Sequence, residues 1–177
     1  FDPGSVSKLM IPQFETWGVV LKIDRAAVEI LTHRAVNDVR RAHDLDTLSY
    51  DRDLVAIARS HSDDMADREY VAHESPEGEG FAARYADAGY DCRVDTGGGR
   101  YLGGAENIAL TQAGVPLETG ELHESADDVA AGLVDGWMDS PGHQENILTD
   151  HWRCEGIGVT FVEDAPGITV YATQNFC

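Results

Sequence analysis

The sequence reads as an α+β fold, and three observations say so. Leu54, Ile57, Ala58, His61 and Met65 recur at steps of 3, 1, 3 and 4, the stripe of an amphipathic helix. Residues 156–162 and 168–174 are β-rich runs on either side of Glu163-Asp164-Ala165-Pro166-Gly167, and so read as an antiparallel hairpin. Between them, Leu133, Val134, Trp137 and Met138 keep helical spacing up to a sharp break at Ser140-Pro141. Pro141 cannot extend that helix but suits the first turn of the next, with Ser140 as its cap. The break projects His143 from a short, anchored helix.

At 177 residues the chain is long enough for one domain with a real core. No apolar run approaches the roughly 18 residues that mark a spanning helix. The charge is unusual: 32 acidic residues face 13 basic ones, a formal net charge of −19. Lys8 and Lys22 are the two lysines, and the other basic residues are arginines. Self-repulsion on this scale opposes compaction in dilute buffer. It is relieved where the Debye length shrinks to about 3 Å, near molar salt. The composition therefore points to a halophilic, haloarchaeal source; an acidic protein from ordinary surroundings is the alternative. Either way, the surface disfavours nucleic acid and anionic membranes.

In chain order, residues 1–22 are punctuated by Pro3-Gly4 and Pro12 and read as an arm or linker. Trp17, Val19 and Leu21 alternate like a short strand within it. The domain proper is residues 23–177. Its first helix starts near residue 24 with Asp24 as cap and Ala27, Ile30, Leu31 and Val39 on the apolar side. A second spans about 51–68. On its stripe, His61 reads as a hydrogen-bonded core histidine rather than a ligand. His73 follows on a loop before the Ser75-Pro76 turn, and loops carry function. A third helix, about 80–88, shows Phe81, Arg84, Tyr85 and Ala88 and stops at Gly89. Gly97-Gly98-Gly99 reads as flexible loop, since no phosphate-loop frame surrounds it. Glu106 opens a strand, residues 111–123 read as a polar loop, and Ser125 caps the next helix with Asp127 and Asp128 in its first turn.

Five phrases then stand in a telling order. They are Asn37-x-x-Arg40 with Leu48-x-x-Asp51, His61-Ser62-x-Asp64-Met65-Ala66, His73-x-Ser75-Pro76-x-Gly78, Gly104-Ala105-Glu106-Asn107-Ile108-Ala109, and Trp137-x-x-Ser140-Pro141-Gly142-His143-x-x-Asn146-Ile147-Leu148. Over about residues 25–177 the chain resembles the prokaryotic branch of the CAP superfamily, the SCP-like domains of cysteine-rich secretory, antigen 5 and pathogenesis-related 1 proteins. The resemblance implies an α-β-α sandwich, with a small antiparallel sheet between helical layers. It also implies a cleft in which His73, Glu106 and His143 converge. Many eukaryotic members carry a second glutamate three residues after the tryptophan, where this chain has Ser140. Asp139 is adjacent in sequence but should point elsewhere.

Two neutral imidazoles and a carboxylate suffice to hold Zn²⁺ or a similar ion through His73 and His143, with Glu106 bound directly or through water. They equally suffice for a metal-free polar cluster. Three function classes remain open. One is an exported, non-enzymatic binding or scaffolding module, taking an extracellular protein, glycan or lipid at a cleft that includes Ser140. The second is a metal-dependent hydrolase of protein or cell-envelope polymer, weakened by the absent second carboxylate. The third is a structural subunit of a surface assembly, self-associating through residues 1–22. A start at Phe1 without a signal peptide suggests a processed piece of an exported protein, extracellular or at the cell surface. Of the three cysteines, Cys154 and Cys177 are the expected disulfide. If the hairpin turns near residue 165, position 154 lies opposite about 176, at Cα distances of about 4.5–5.5 Å. Cys92 would be the spare thiol, and its pairing with either other cysteine is left open.

The charge balance yields the first prediction. Circular dichroism in dilute buffer should show lost structure that returns in molar KCl, whereas full folding at about 10 mM salt would rule out salt adaptation.

Overall fold

A computed structural model of the chain describes residues 23–164 and 166–177. The arm at residues 1–22, where a short strand and a part in self-assembly were expected, lies outside the described residues. Among the described residues there are five helices and six strands. They are α1 (Arg25–Ala42), β1 (Ser49–Tyr50), α2 (Arg52–Asp67), α3 (Phe81–Asp87), β2 (Val94–Gly97), β3 (Arg100–Leu102), β4 (Ala105–Ala113), α4 (Ala126–Met138), α5 (Pro141–Leu148), β5 (Cys154–Asp164) and β6 (Gly167–Phe176). The helix starts follow the expected chemistry. Asp24 accepts from the Ala27 N–H at 2.9 Å, Asp51 from Asp53 and Leu54, and Ser125 forms a capping box with Asp128.

The main sheet runs β1-β5-β6-β4, with β5–β6 and β6–β4 antiparallel. Alternation along β5 decides what packs where. Ile157 and Val159 join Val28, Val129, Leu133 and Trp137 in the large core toward α1 and α4. Gly156 and Gly158 face the other way, against α2. A Cβ at 156 would meet the Val55 nitrogen at 2.2 Å, and one at 158 the Arg59 nitrogen at 2.1 Å. The expected sandwich is present, with α2 on one face of the sheet and α1 with α4 on the other.

Arg40, fully buried, locks α5 in place. It donates to the carbonyls of Ile147 (2.6 Å), Thr149 (2.9 Å) and Asp46 (2.8 Å), which α5 and the loop before β1 would otherwise leave unsatisfied. Asn37, one turn earlier, grips Leu48 by both its N–H and its carbonyl.

The structure corrects four expectations. The sheet is mixed, because β1 pairs parallel with β5 after an intervening crossover. Gly97-Gly98-Gly99 is the tight turn of the β2–β3 hairpin, and its three positive φ angles explain the glycines. The polar segment loses its first residues to β4, which runs on to Ala113. Lastly, the disulfide is Cys92–Cys177 and not Cys154–Cys177, which leaves Cys154 free. Cys154 does face Cys177 across the hairpin. Facing does not choose the partner, however. The segment after α3 brings Cys92 to a Cα distance of 5.6 Å, and the Cys154 sulfur lies instead 3.5 Å from the Tyr90 hydroxyl.

The close approach of α2 is testable. Gly158→Ala should lower unfolding free energy by about 2–3 kcal/mol through overpacking. Gly136→Ala, at an exposed α4 position with nothing within 4 Å, should instead raise it by about 0.5–1 kcal/mol. Denaturant midpoints that do not separate the two variants would contradict this packing.

Candidate functional site

Glu106 is the second residue of β4, and its side chain is 1% exposed. Both carboxylate oxygens are engaged. Arg84 of α3 donates to Oε2 at 2.7 Å, and His73 Nδ1 lies 3.1 Å from Oε1. Arg84 also donates to the carbonyls of His73 and Glu79, so one guanidinium fixes both the carboxylate and the 73–79 loop. His61 Nε2 lies 3.0 Å from the Ala72 carbonyl and 3.8 Å from Glu106 Oε1. It is the hydrogen-bonded core histidine the stripe suggested, and it also backs the cluster.

With a carboxylate accepting at Nδ1, the neutral His73 ring carries its proton there and leaves Nε2 as a free lone pair. His143 enters from the first turn of α5. The two ring centroids are 6.2 Å apart and tilted by 57°. Burial holds the His143 imidazole below its ordinary value, and the neighbouring His73 adds to the effect. His61 is lowered by burial too, against the opposing attraction of Glu106. The structure thus brings His73, Glu106 and His143 together from a loop, a strand and a helix. Ser140 stands at the N-cap of α5, but its hydroxyl makes no capping bond; the expected cap is supplied by position alone. Asp139, at the end of α4, is exposed.

A cavity of about 430 Å³ opens beside this cluster, lined by His73, Glu106, Phe81, Gly104, Ala105 and Asn146 among others. A larger groove of about 620 Å³ lies between α2 and α3 and reaches Arg84 and His61 from the other side. Behind the site runs a ladder of buried polar groups. Asn146 donates to Asn107 Oδ1 (2.8 Å), and Asn107 donates to the His143 carbonyl (3.2 Å) and to Gln174 (3.0 Å). Gln174 donates to Glu155 (2.6 Å), whose other oxygen meets His33 Nδ1 at 2.7 Å.

Two residues of the cluster were not expected from sequence as members of the site, Arg84 and His61. Arg84 left one signal: an arginine within a short helix among Phe81, Tyr85 and Ala88, on a chain whose strand carboxylate would need a buried cation. Among the described residues, no group of three or more histidine, cysteine or acidic side chains is arranged as a metal cage. Both oxygens of Glu106 are taken, by Arg84 and by His73.

The fold, the paired histidines and the strand glutamate define a domain of the CAP class. Residues 33–176 match the model of CAP, the cysteine-rich secretory protein family, and the chain belongs to that family. It is 27% identical over 140 residues to the uncharacterized membrane protein YlbC of Bacillus subtilis, covering 79% of this chain and 31% of that protein. It is 31% identical over 122 residues to the uncharacterized protein YkwD of the same organism, covering 69% and 38%. Among solved structures, an extracellular protein containing an SCP domain from Bacillus anthracis superposes with a TM-score of 0.62 at 27% identity, over 86% of this chain and 40% of that one. The chain spans about a third of the length of the curated relatives it matches. No described helix is long and apolar enough to cross a membrane.

The ion pair can be tested directly. Arg84→Ala leaves a buried carboxylate without its cation and should destabilise the fold by about 3–5 kcal/mol. Adding Glu106→Gln should recover part of that loss. Strictly additive losses in a double-mutant cycle would show that the two side chains do not interact.

Proposed function

We propose that this chain is an exported, non-enzymatic binding or scaffolding domain whose contact point is the His73–His143 cleft. The observation that carries this reading is the full engagement of Glu106. A carboxylate held by a guanidinium and an imidazole is poorly placed to act as general base, and it instead orients His73. Hydrolysis gains no support from Ser140, which makes no hydrogen bond to either imidazole among the described residues. The disulfide suits an oxidising compartment. The Bacillus anthracis relative is described as extracellular and YlbC as a membrane protein. Both descriptions favour an extracellular or cell-surface location; the ligand in this reading is a protein segment, glycan or lipid. The acidic composition belongs to the same reading, as an adaptation to a salt-rich exterior.

A divalent ion such as Zn²⁺ is the second reading, and what favours it is the pairing of the two imidazoles, with ring centroids 6.2 Å apart. His73 and His143 would hold it, and the Glu106 carboxylate behind His73 would act as the oriented outer partner that metal-binding histidines ordinarily have. When bound, the ion would supply an open coordination position for an oxygen or nitrogen of the ligand. The residues themselves prepare the place. Burial keeps His143 neutral, and Glu106 fixes the proton of His73 on the nitrogen facing the strand.

The sign of the pH dependence follows. Metal competes with protons for the two rings, so affinity should be full above the ordinary histidine range and fall as pH drops through about 6. His143, already lowered, resists longest. Calorimetry with Zn²⁺ or Cu²⁺ should show binding by the parent, none by His73→Ala or His143→Ala, and folded spectra for all three. Unchanged binding in both variants would defeat the metal reading. A parent that binds no metal, with both variants less stable, would make the cluster structural and move ligand binding to the rest of the surface.

A further inference from the structure

Three cysteines meet at one end of the main sheet. Cys92 and Cys177 are joined, with Cα atoms 5.6 Å apart. Cys154 carries a free thiol and stands opposite Cys177, each backbone N–H donating to the other's carbonyl at 2.9 and 3.0 Å. Such a hydrogen-bonded antiparallel pair holds its Cα atoms about 5.5 Å apart, well inside the roughly 4.4–6.8 Å that a disulfide spans. Directly opposed residues also project from the same face of the sheet. Consistent with that, all three cysteines pack against one small apolar cluster, Leu54, Ile57 and Tyr85. Cys177 therefore has two partners within bridging range, contributed by different elements.

We propose that the Cys92–Cys177 disulfide is exchangeable within the folded chain, with Cys154 as the resident thiol that can replace Cys92. The Cys154 thiolate attacks Cys177 Sγ, and a Cys154–Cys177 bond forms as the Cys92–Cys177 bond breaks. The electron pair departs on Cys92, which takes up a proton in place of the one Cys154 gave up. One bond replaces another, so no outside oxidant or reductant is consumed.

The two bridges tie down different things. Cys92–Cys177 anchors the segment after α3 to the C-terminal end of β6. Cys154–Cys177 staples two strands that are already neighbours, so exchange removes the covalent tie beside α3 and leaves a thiol at Cys92. The helix keeps its Tyr85 hydroxyl bond to the Phe176 carbonyl at 3.0 Å, and Tyr90 keeps its bond to Asp51, yet the covalent tie past its C-terminal end is lost. Because α3 carries Arg84, the exchange reaches the support of the candidate cleft. Burial pushes the Cys154 thiol up. Its thiolate is therefore scarce near neutrality, and the rate should climb about tenfold per pH unit until the thiolate forms.

Non-reducing peptide mapping tests this on the native protein, held folded in molar KCl at pH 9 without added thiol and quenched in acid. The Cys154–Cys177 peptide should accumulate beside Cys92–Cys177, about tenfold more slowly at pH 8. Cys154→Ser should yield Cys92–Cys177 alone, and Cys92→Ser, refolded with oxidised glutathione, should yield Cys154–Cys177. A parent that retains only Cys92–Cys177 after days at pH 9 overturns the proposal. So does a mixture whose rate depends on protein concentration, which would mean exchange between molecules.

Discussion

A carboxylate buried at the start of β4 has to be compensated, and compensating Glu106 organises one whole side of this molecule. An ion of that kind loses several kcal/mol of hydration, regained only through close opposite charge and hydrogen bonds. Arg84 supplies the charge, and it can do so only if α3 docks against the sheet. Tyr85, the next residue, is buried and bonds the Phe176 carbonyl, while the Cys92–Cys177 bridge closes the same face. The second oxygen of Glu106 is left to His73, whose loop Arg84 also holds by two carbonyls. The cleft is therefore a product of charge neutralisation. Its histidine is presented in one orientation because a carboxylate that could not be left bare lies behind it.

The opposite wall of the cleft answers a different constraint. β4 is an edge strand, and exposed edges invite pairing with other chains. Here side chains of the two following helices and of the loop before them take its outward carbonyls: Asn146 bonds Glu106, Trp137 bonds Ile108, and His123 bonds Gln112. Trp137 at the end of α4 and Asn146 on α5 thus seal the sheet while holding the two helices beside it, and α5 presents His143. Arg40 secures the far end of the same helix. His143 is fixed from both ends of α5 by groups whose first task is to satisfy backbone polarity.

Much of this was legible in the sequence, for reasons of short range. Helix starts at Asp24, Asp51 and Ser125 depend on a side chain and the N–H groups two or three residues on, and they stand where the sequence placed them. The closing hairpin is a turn between two β-rich runs, equally local. The paired histidines and Glu106 were legible because ordered motif phrases resemble one family, and a shared fold brings them together. What escaped depends on contacts between distant segments. Arg84 as the partner of Glu106 requires knowing where α3 docks. The parallel addition of β1 to β5 joins segments that stand on either side of α2 through α5 in the chain. The cysteine pairing failed for the same reason: the strand register came within one position of the residue that faces Cys154, but did not foretell that a third segment would deliver Cys92. The ladder from Asn146 to His33 likewise joins five elements and has no local signature.

Through its contact with Nδ1, Glu106 sets which nitrogen of His73 is protonated and so presents the other nitrogen to the cleft. Nitrogen-15 NMR of the imidazole rings near pH 7.5 in molar salt measures this directly. The ring of His73, when neutral, should carry its proton at Nδ1 with Nε2 bare, and that preference should be lost in Glu106→Gln. A His73 ring protonated at Nε2, or one indifferent to the substitution at Glu106, would contradict it.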